Sequence, residues 1–137
     1  MNSVIKYRSL GMKLTPQRLA ILKFLEGNTT HPSAEEIFRS VQNLFPTMSL
    51  ATVYSTLSAL KEKGSILELT LDPDKKRYDP NTSMHNHFIC MSCKTIIDIP
   101  GDQAAILSKS TAQQYNILKS QVEYFGICPD CKSKNEQ

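Results

Sequence analysis

Two Cys-x-x-Cys pairs, Cys90-Met91-Ser92-Cys93 and Cys128-Pro129-Asp130-Cys131, constrain this chain more than any other feature. They contain all four of its cysteines, and both lie in its second half. A tight Cys-x-x-Cys turn presents two thiolates to one ion, and two such turns complete the tetrahedral shell of a structural zinc. A zinc there staples the C-terminus back onto the element that carries Cys90. A second half of under about 60 residues needs such a staple to be stable. The alternatives are a redox disulfide or four unrelated thiols. A thioredoxin-like site needs one reactive pair between a strand and a helix, which two pairs do not suit. No apolar run approaches the ~18–20 residues of a membrane span, and the first ten residues lack the apolar block of a signal peptide. The expectation is a cytosolic protein with no membrane partner, where a metal is favoured over disulfides.

The chain is 137 residues long and 40% hydrophobic, enough for one ordinary domain or two small ones with packed cores. Its net charge of +3 is unevenly spread. Residues 1–63 hold eight Lys/Arg against four Asp/Glu, and residues 64–137 hold eight against nine. A basic first half fits a phosphate-binding footprint, with ordinary surface variation as the alternative.

That first half reads as helices. Thr15-Pro16 is a start signal, a capping hydroxyl followed by Pro at the first helical position. Leu19, Leu22 and Leu25 follow at helical spacing until Gly27-Asn28. Ser33 and Glu36 form a capping box, with Ile37, Phe38, Val41 and Leu44 as the buried face and Pro46 as the stop. Ser49 caps a third helix, Leu50 to Lys63, ended by Gly64. Leu67, Leu69 and Leu71 then alternate as a strand, Asp72-Pro73-Asp74 turns the chain, and residues 75–78 return. Three short helices and a hairpin make a winged helix-turn-helix. The polar Asp79-Pro80-Asn81-Thr82-Ser83 run marks a boundary, giving a winged-helix domain over 1–80, a hinge over 81–84 and a second domain over 85–137. In that domain His85 to Met91 and Thr95 to Ile99 read as strands, Asp102 to about Tyr115 as a helix, and Ile117 to Gly126 as a further strand. The fold class is α+β, with a small α/β second domain carrying a four-cysteine zinc site.

The third helix, rich in small hydroxylated residues, can enter a major groove. Thr52, Tyr54, Ser55 and Thr56 are candidate base contacts. Lys13, Arg18, Lys61, Lys75, Lys76 and Arg77 are candidate phosphate contacts. The alternative is a plain amphipathic helix with a hydroxylated surface. His85-x-His87 on a strand puts two imidazoles on one face, a half-site for a first-row metal or else a pair of surface histidines. The pattern alone assigns no such role to His31, Asp79 or Asp98.

Leu14-Thr15-Pro16-Gln17-Arg18, His31-Pro32-Ser33-Ala34, Ser49-Leu50-Ala51-Thr52-Val53-Tyr54 and His85-Asn86-His87-Phe88-Ile89-Cys90-Met91-Ser92-Cys93 resemble, in order and spacing, the ferric uptake regulator family, from about Lys6 to Cys131. The resemblance implies a homodimeric transcriptional repressor rather than an enzyme. Its winged helices would bind a pseudo-palindromic double-stranded operator when a regulatory divalent metal is bound. It further implies a ligand set of His31, Asp79, His85, His87 and Asp98, the donor set of the family's peroxide-responsive branch. Iron-uptake members commonly carry Glu where Asp98 stands. Met84, Asn86, Lys119 and Ser120 stand where a further metal site has ligands in other members, and Glu123 is then structural. Two metals per subunit are expected: structural Zn2+, and regulatory Fe2+ or Mn2+. The resemblance also implies that, with iron bound, peroxide would react at an open position and the resulting oxidant would attack His31 or His85, which would release the metal and end repression. Manganese would hold the DNA-binding shape but react poorly. Ser55 departs from the Arg or Asn frequent in relatives, so the operator is expected to differ.

Two other classes are weighed. A zinc hydrolase needs an open metal position beside a general base, and the chain has no His-Glu-x-x-His and no clear spare carboxylate. A thiol oxidoreductase meets the objection already given. Within the family, the alternative is an iron-, manganese- or zinc-responsive uptake regulator without peroxide sensing.

Overall fold

The computed structural model describes residues 7–100 and 107–135. It divides into two compact units, Met1–Thr82 and Ser83–Gln137. No helix among the described residues is long and apolar enough to cross a membrane.

The described residues of the first unit include three capped helices and a two-stranded wing. Helix α1, Pro16–Leu25, starts where Thr15 accepts the Arg18 backbone N–H at 3.2 Å. Helix α2, Ala34–Gln42, carries the full capping box: Ser33 Oγ accepts from Glu36 N–H, and Glu36 Oε2 accepts from Ser33 N–H. Helix α3, Leu50–Glu62, is capped by Ser49. It ends at Gly64, whose φ of 70° suits the left-handed position. There Ser65 N–H bonds to Leu60 O and Gly64 N–H to Lys61 O, the paired bonds of a Schellman cap. Ile21, Leu22, Ile37, Val53, Leu57 and Leu60 meet in the core, joined by Ile66 and Tyr78 from the wing. Strand β1, Leu67–Leu69, pairs antiparallel with β2, Arg77–Asp79.

Two expectations fail here. Leu44 is 71% exposed rather than buried. Proline at 46 disfavours helical geometry at Phe45, so α2 is already over at Gln42 and the chain leaves the face that buries Val41. Leu71 is buried but lies beyond β1, because the turn begins sooner than the alternation suggests.

Among its described residues the second unit holds one three-stranded sheet. The central strand β3, Asn86–Cys90, pairs antiparallel with β4, Ile96–Ile99, and parallel with β5, Glu123–Gly126. A parallel partner requires a crossover, and the chain between β4 and β5 contains α4, Lys109–Gln114, capped by Ser108. The expected helix start at Asp102 lies outside the described residues. The last strand is shorter than expected, since 116–122 carry no regular structure before Glu123. Helix α5, Pro129–Asn135, closes the described chain. Gly126 permits the close approach of β5 to Phe88, whose ring would lie 3.1 Å from a Cβ there.

Candidate metal centres

Strand β3 delivers Cys90 to a tight turn that carries Cys93, and the start of α5 carries Cys128 and Cys131. The four sulfurs lie within 4.8 Å of one another. Cys93 Sγ and Cys128 Sγ are 3.8 Å apart. Thiolates bound tetrahedrally at a Zn–S distance of about 2.3 Å lie about 3.8 Å apart, whereas a disulfide needs about 2.05 Å. The turns also aim backbone donors at sulfur. Cys128 N–H and Cys93 N–H point to Cys90 Sγ at 3.3 and 3.5 Å, and Cys131 N–H points to Cys128 Sγ at 3.5 Å. Those two N–H groups pull the Cys90 thiol down to about 6. The Cys128 sulfur beside it pushes Cys131 up to about 11. Four sulfurs this close resist ionising together, and a divalent cation at their centre removes that resistance. The donor set fits zinc.

The histidine and aspartate candidates fall into two groups, one in each unit. In the first unit, His31 Nε2 lies 3.3 Å from Asp79 Oδ2, with side chains 0% and 1% exposed. Asp79 ends β2, and its Oδ1 accepts the Asn81 N–H at 2.9 Å, which fixes the carboxylate. His31 precedes the α2 cap with φ of 53°, an uncommon left-handed conformation for a residue with a side chain.

In the second unit, His87 on β3 stands opposite Asp98 on β4. Asp98 Oδ1 lies 3.4 Å from His87 Nε2 and 3.2 Å from His85 Nε2. The two imidazoles meet edge to face with centroids 4.4 Å apart. His85 Nδ1 lies 2.7 Å from the carbonyl oxygen of Ser83. A carbonyl only accepts, so Nδ1 carries the proton and Nε2 keeps its lone pair for a metal. Each group can donate imidazole nitrogen and carboxylate oxygen to a first-row cation.

The DNA-facing candidates fare unevenly. Tyr54 and Ser55 are exposed on α3 and Thr52 is half-buried. Thr56 is a correction: it is 0% exposed, on the face of Val53, Leu57 and Leu60, and its hydroxyl bonds to Thr52 O at 2.8 Å. Arg77 is a second correction. Its buried guanidinium pairs with Asp72 at 3.3 Å and cannot reach phosphate. Lys13 is exposed, and half-buried Arg18 donates to Lys13 O at 3.2 Å. Lys61 and Lys76 are exposed and lie 3.2 and 3.3 Å from Glu68. Burial raises the Glu68 carboxyl, but the two ammonium groups outweigh it and hold it below its ordinary value. Lys75 pairs with Glu36 at 3.1 Å.

Asn86 accepts the Val122 N–H at 2.9 Å and ties β3 to the approach of β5. Glu123 accepts from Gln121 at 2.9 Å. No local pattern signals the carbonyl of Ser83 or the buried Arg77–Asp72 pair.

The chain is similar to known proteins. The profile of the ferric uptake regulator family matches residues 9–125. The peroxide-responsive repressor PerR of Staphylococcus aureus (strain USA300) is 34% identical over 134 residues, spanning 96% of this chain and 90% of that protein. Among solved structures, PerR from Streptococcus pyogenes, described for peroxide sensing and gene regulation, is 34% identical with a TM-score of 0.54, covering 95% of this chain and 90% of that one. The ferric uptake regulator of Vibrio cholerae is 27% identical with a TM-score of 0.71, covering 88% and 95%. With most of its length matched by the profile and by these relatives, the chain belongs to the ferric uptake regulator family.

Proposed function

We propose that this chain is a metal-dependent, DNA-binding transcriptional repressor that senses hydrogen peroxide. The observation that carries the reading is the carboxylate of Asp98 shared by the imidazoles of His85 and His87, in a chain 34% identical to peroxide-responsive repressors. With His31 and Asp79 from the first unit, these side chains would hold one regulatory ion, Fe2+ or Mn2+. Cys90, Cys93, Cys128 and Cys131 would hold the structural zinc.

Asp79 and Asp98 supply the charge that retains a divalent cation, and the hydrogen bond from His85 Nδ1 to Ser83 orients one imidazole toward it. Ferrous iron held there would activate peroxide: one peroxide oxygen would enter a C–H bond of a ligand imidazole and the other would leave as water, with peroxide the two-electron oxidant and the imidazole the group oxidised. An imidazole of His31 or His85 altered in this way would be a poor ligand, so the grip on the metal would fail and repression would end. Exposed Tyr54 and Ser55, with Thr52, would read base edges of a pseudo-palindromic operator, and Lys13, Arg18, Lys61 and Lys76 would meet phosphates. Exposed Ile97, Leu118, Tyr124 and Phe125 in the second unit suit a homodimer interface. The site of action is the cytoplasm.

Peptide mass spectrometry of iron-loaded protein after a brief peroxide pulse, with a manganese-loaded control, tests the reading. One added oxygen on the His31 or His85 peptide, with iron only, is expected. No addition, with metal-dependent operator binding intact, would leave an uptake regulator of the same family.

A further inference from the structure

Strand β2 grips one residue twice. Asp79 faces the His31 imidazole, while Arg77, two residues earlier on the same face, reaches the backbone behind it. Arg77 Nε donates to the carbonyl oxygen of His31, and Nη2 donates to that of Thr30 at 3.5 Å. The adjoining Tyr78 N–H donates to Pro32 O at 2.9 Å. Arg77 is itself held by Asp72, whose Oδ2 lies 3.3 Å from Nη1 and whose Oδ1 accepts the Asp74 N–H of the wing turn. Arg77 and Asp72 are both buried. The backbone they clasp is the one that carries His31 at its left-handed φ of 53°. A side chain held in that region needs surrounding contacts to keep it there.

We propose that Arg77, locked by Asp72, is a positioning residue that holds the His31 backbone in the conformation from which its imidazole binds the regulatory metal. This rests on the reading of His31 as a ligand of that metal. A fork of fixed N–H directions grips two successive carbonyls at once, which the single ammonium of a lysine cannot reproduce.

The test is a double-mutant cycle in the zinc-containing full chain, with Mn2+ affinity read by electron paramagnetic resonance of the unbound ion. Arg77→Lys is expected to weaken Mn2+ binding about tenfold, with zinc content and dimerisation unchanged. In a His31→Ala background the same substitution is expected to cost less than about twofold, because the residue it positions is gone. A merely structural role would give equal losses in both backgrounds, and that result, or no loss in the parent chain, would overturn the proposal. If His31→Ala itself leaves Mn2+ affinity intact, the metal-site reading fails first and this proposal with it. Should Arg77→Lys fail to fold, Asp72→Asn, which loosens the same guanidinium, runs through the same cycle and decides by the same criterion.

Discussion

The imidazole of His31 and the carboxylate of Asp79 lie 3.3 Å apart although 48 positions separate them in sequence, and solvent reaches neither. Two ligands at about 2.1 Å from one ion and at right angles lie about 3 Å apart, so the pair is spaced for a shared cation. Asp79→Asn keeps the shape and removes the charge. We expect Mn2+ affinity to fall at least about a hundredfold, beyond the usual loss for a residue that only supports a ligand. Zinc content and dimerisation should stay unchanged. Mn2+ titration followed by operator binding in fluorescence anisotropy checks this. Unchanged operator activation would remove Asp79 from the ligand set.

The cysteine cluster should behave oppositely. Binding energy for a structural zinc, about 10–16 kcal/mol in small zinc-dependent peptides, is largely folding energy. Cys90→Ser removes the sulfur that accepts two backbone N–H groups. The expected result is loss of zinc with loss of β-structure in the second unit, while α1, α2 and α3 keep their helical signal. Circular dichroism beside zinc analysis reads both. A zinc-free variant with an intact second unit would contradict a structural role.

Legibility in the sequence followed distance along the chain. The caps at Thr15, Ser33 and Ser49 depend on bonds spanning three residues, and each stands where the letters put it. The paired cysteines were legible for the same reason. Thr56 was misread because its hydroxyl suggested a polar surface. Its spacing from Val53 and Leu60 put it on the core face, where the Thr52 carbonyl satisfies the hydroxyl. The parallel pairing of β3 with β5 leaves no local trace, since its partners lie 36 residues apart. His31 and Asp79 came only from resemblance to a family, because nothing in the intervening sequence encodes their approach.

The hydroxyl of Tyr54 donates to Glu35 at 2.8 Å, tying the exposed face of α3 to the start of α2. That bond, the largest cause, lowers the Glu35 carboxyl from its ordinary 4.5. A carboxyl lowered on folding contributes stability that is full above its unfolded value and is lost as pH falls through the folded one. Tyr54→Phe should therefore destabilise at pH 7 and cease to matter below the folded value. Glu35 is exposed, so the loss should be under about 1 kcal/mol. Urea unfolding of both proteins across the acid range reads the difference. A gap that persists unchanged to the lowest pH would mean the effect comes from packing instead.

Ser55 and Thr56 are neighbours with opposite environments, and DNA binding should separate them. Ser55 is exposed, whereas Thr56 is sealed among the core side chains of α3. Thr56→Val loses one internal hydrogen bond and should cost about 1 kcal/mol of stability with no change in operator preference. Ser55→Ala should leave stability alone and lower the preference for operator over scrambled duplex by about 1 kcal/mol, the low end for a base-edge contact. Lys76→Ala should weaken both duplexes equally and reduce the salt slope by about one, as for a lost phosphate contact. Anisotropy titrations at several salt concentrations read all three. If Thr56→Val alters sequence preference while Ser55→Ala does not, α3 presents a different face to DNA from the one exposed here.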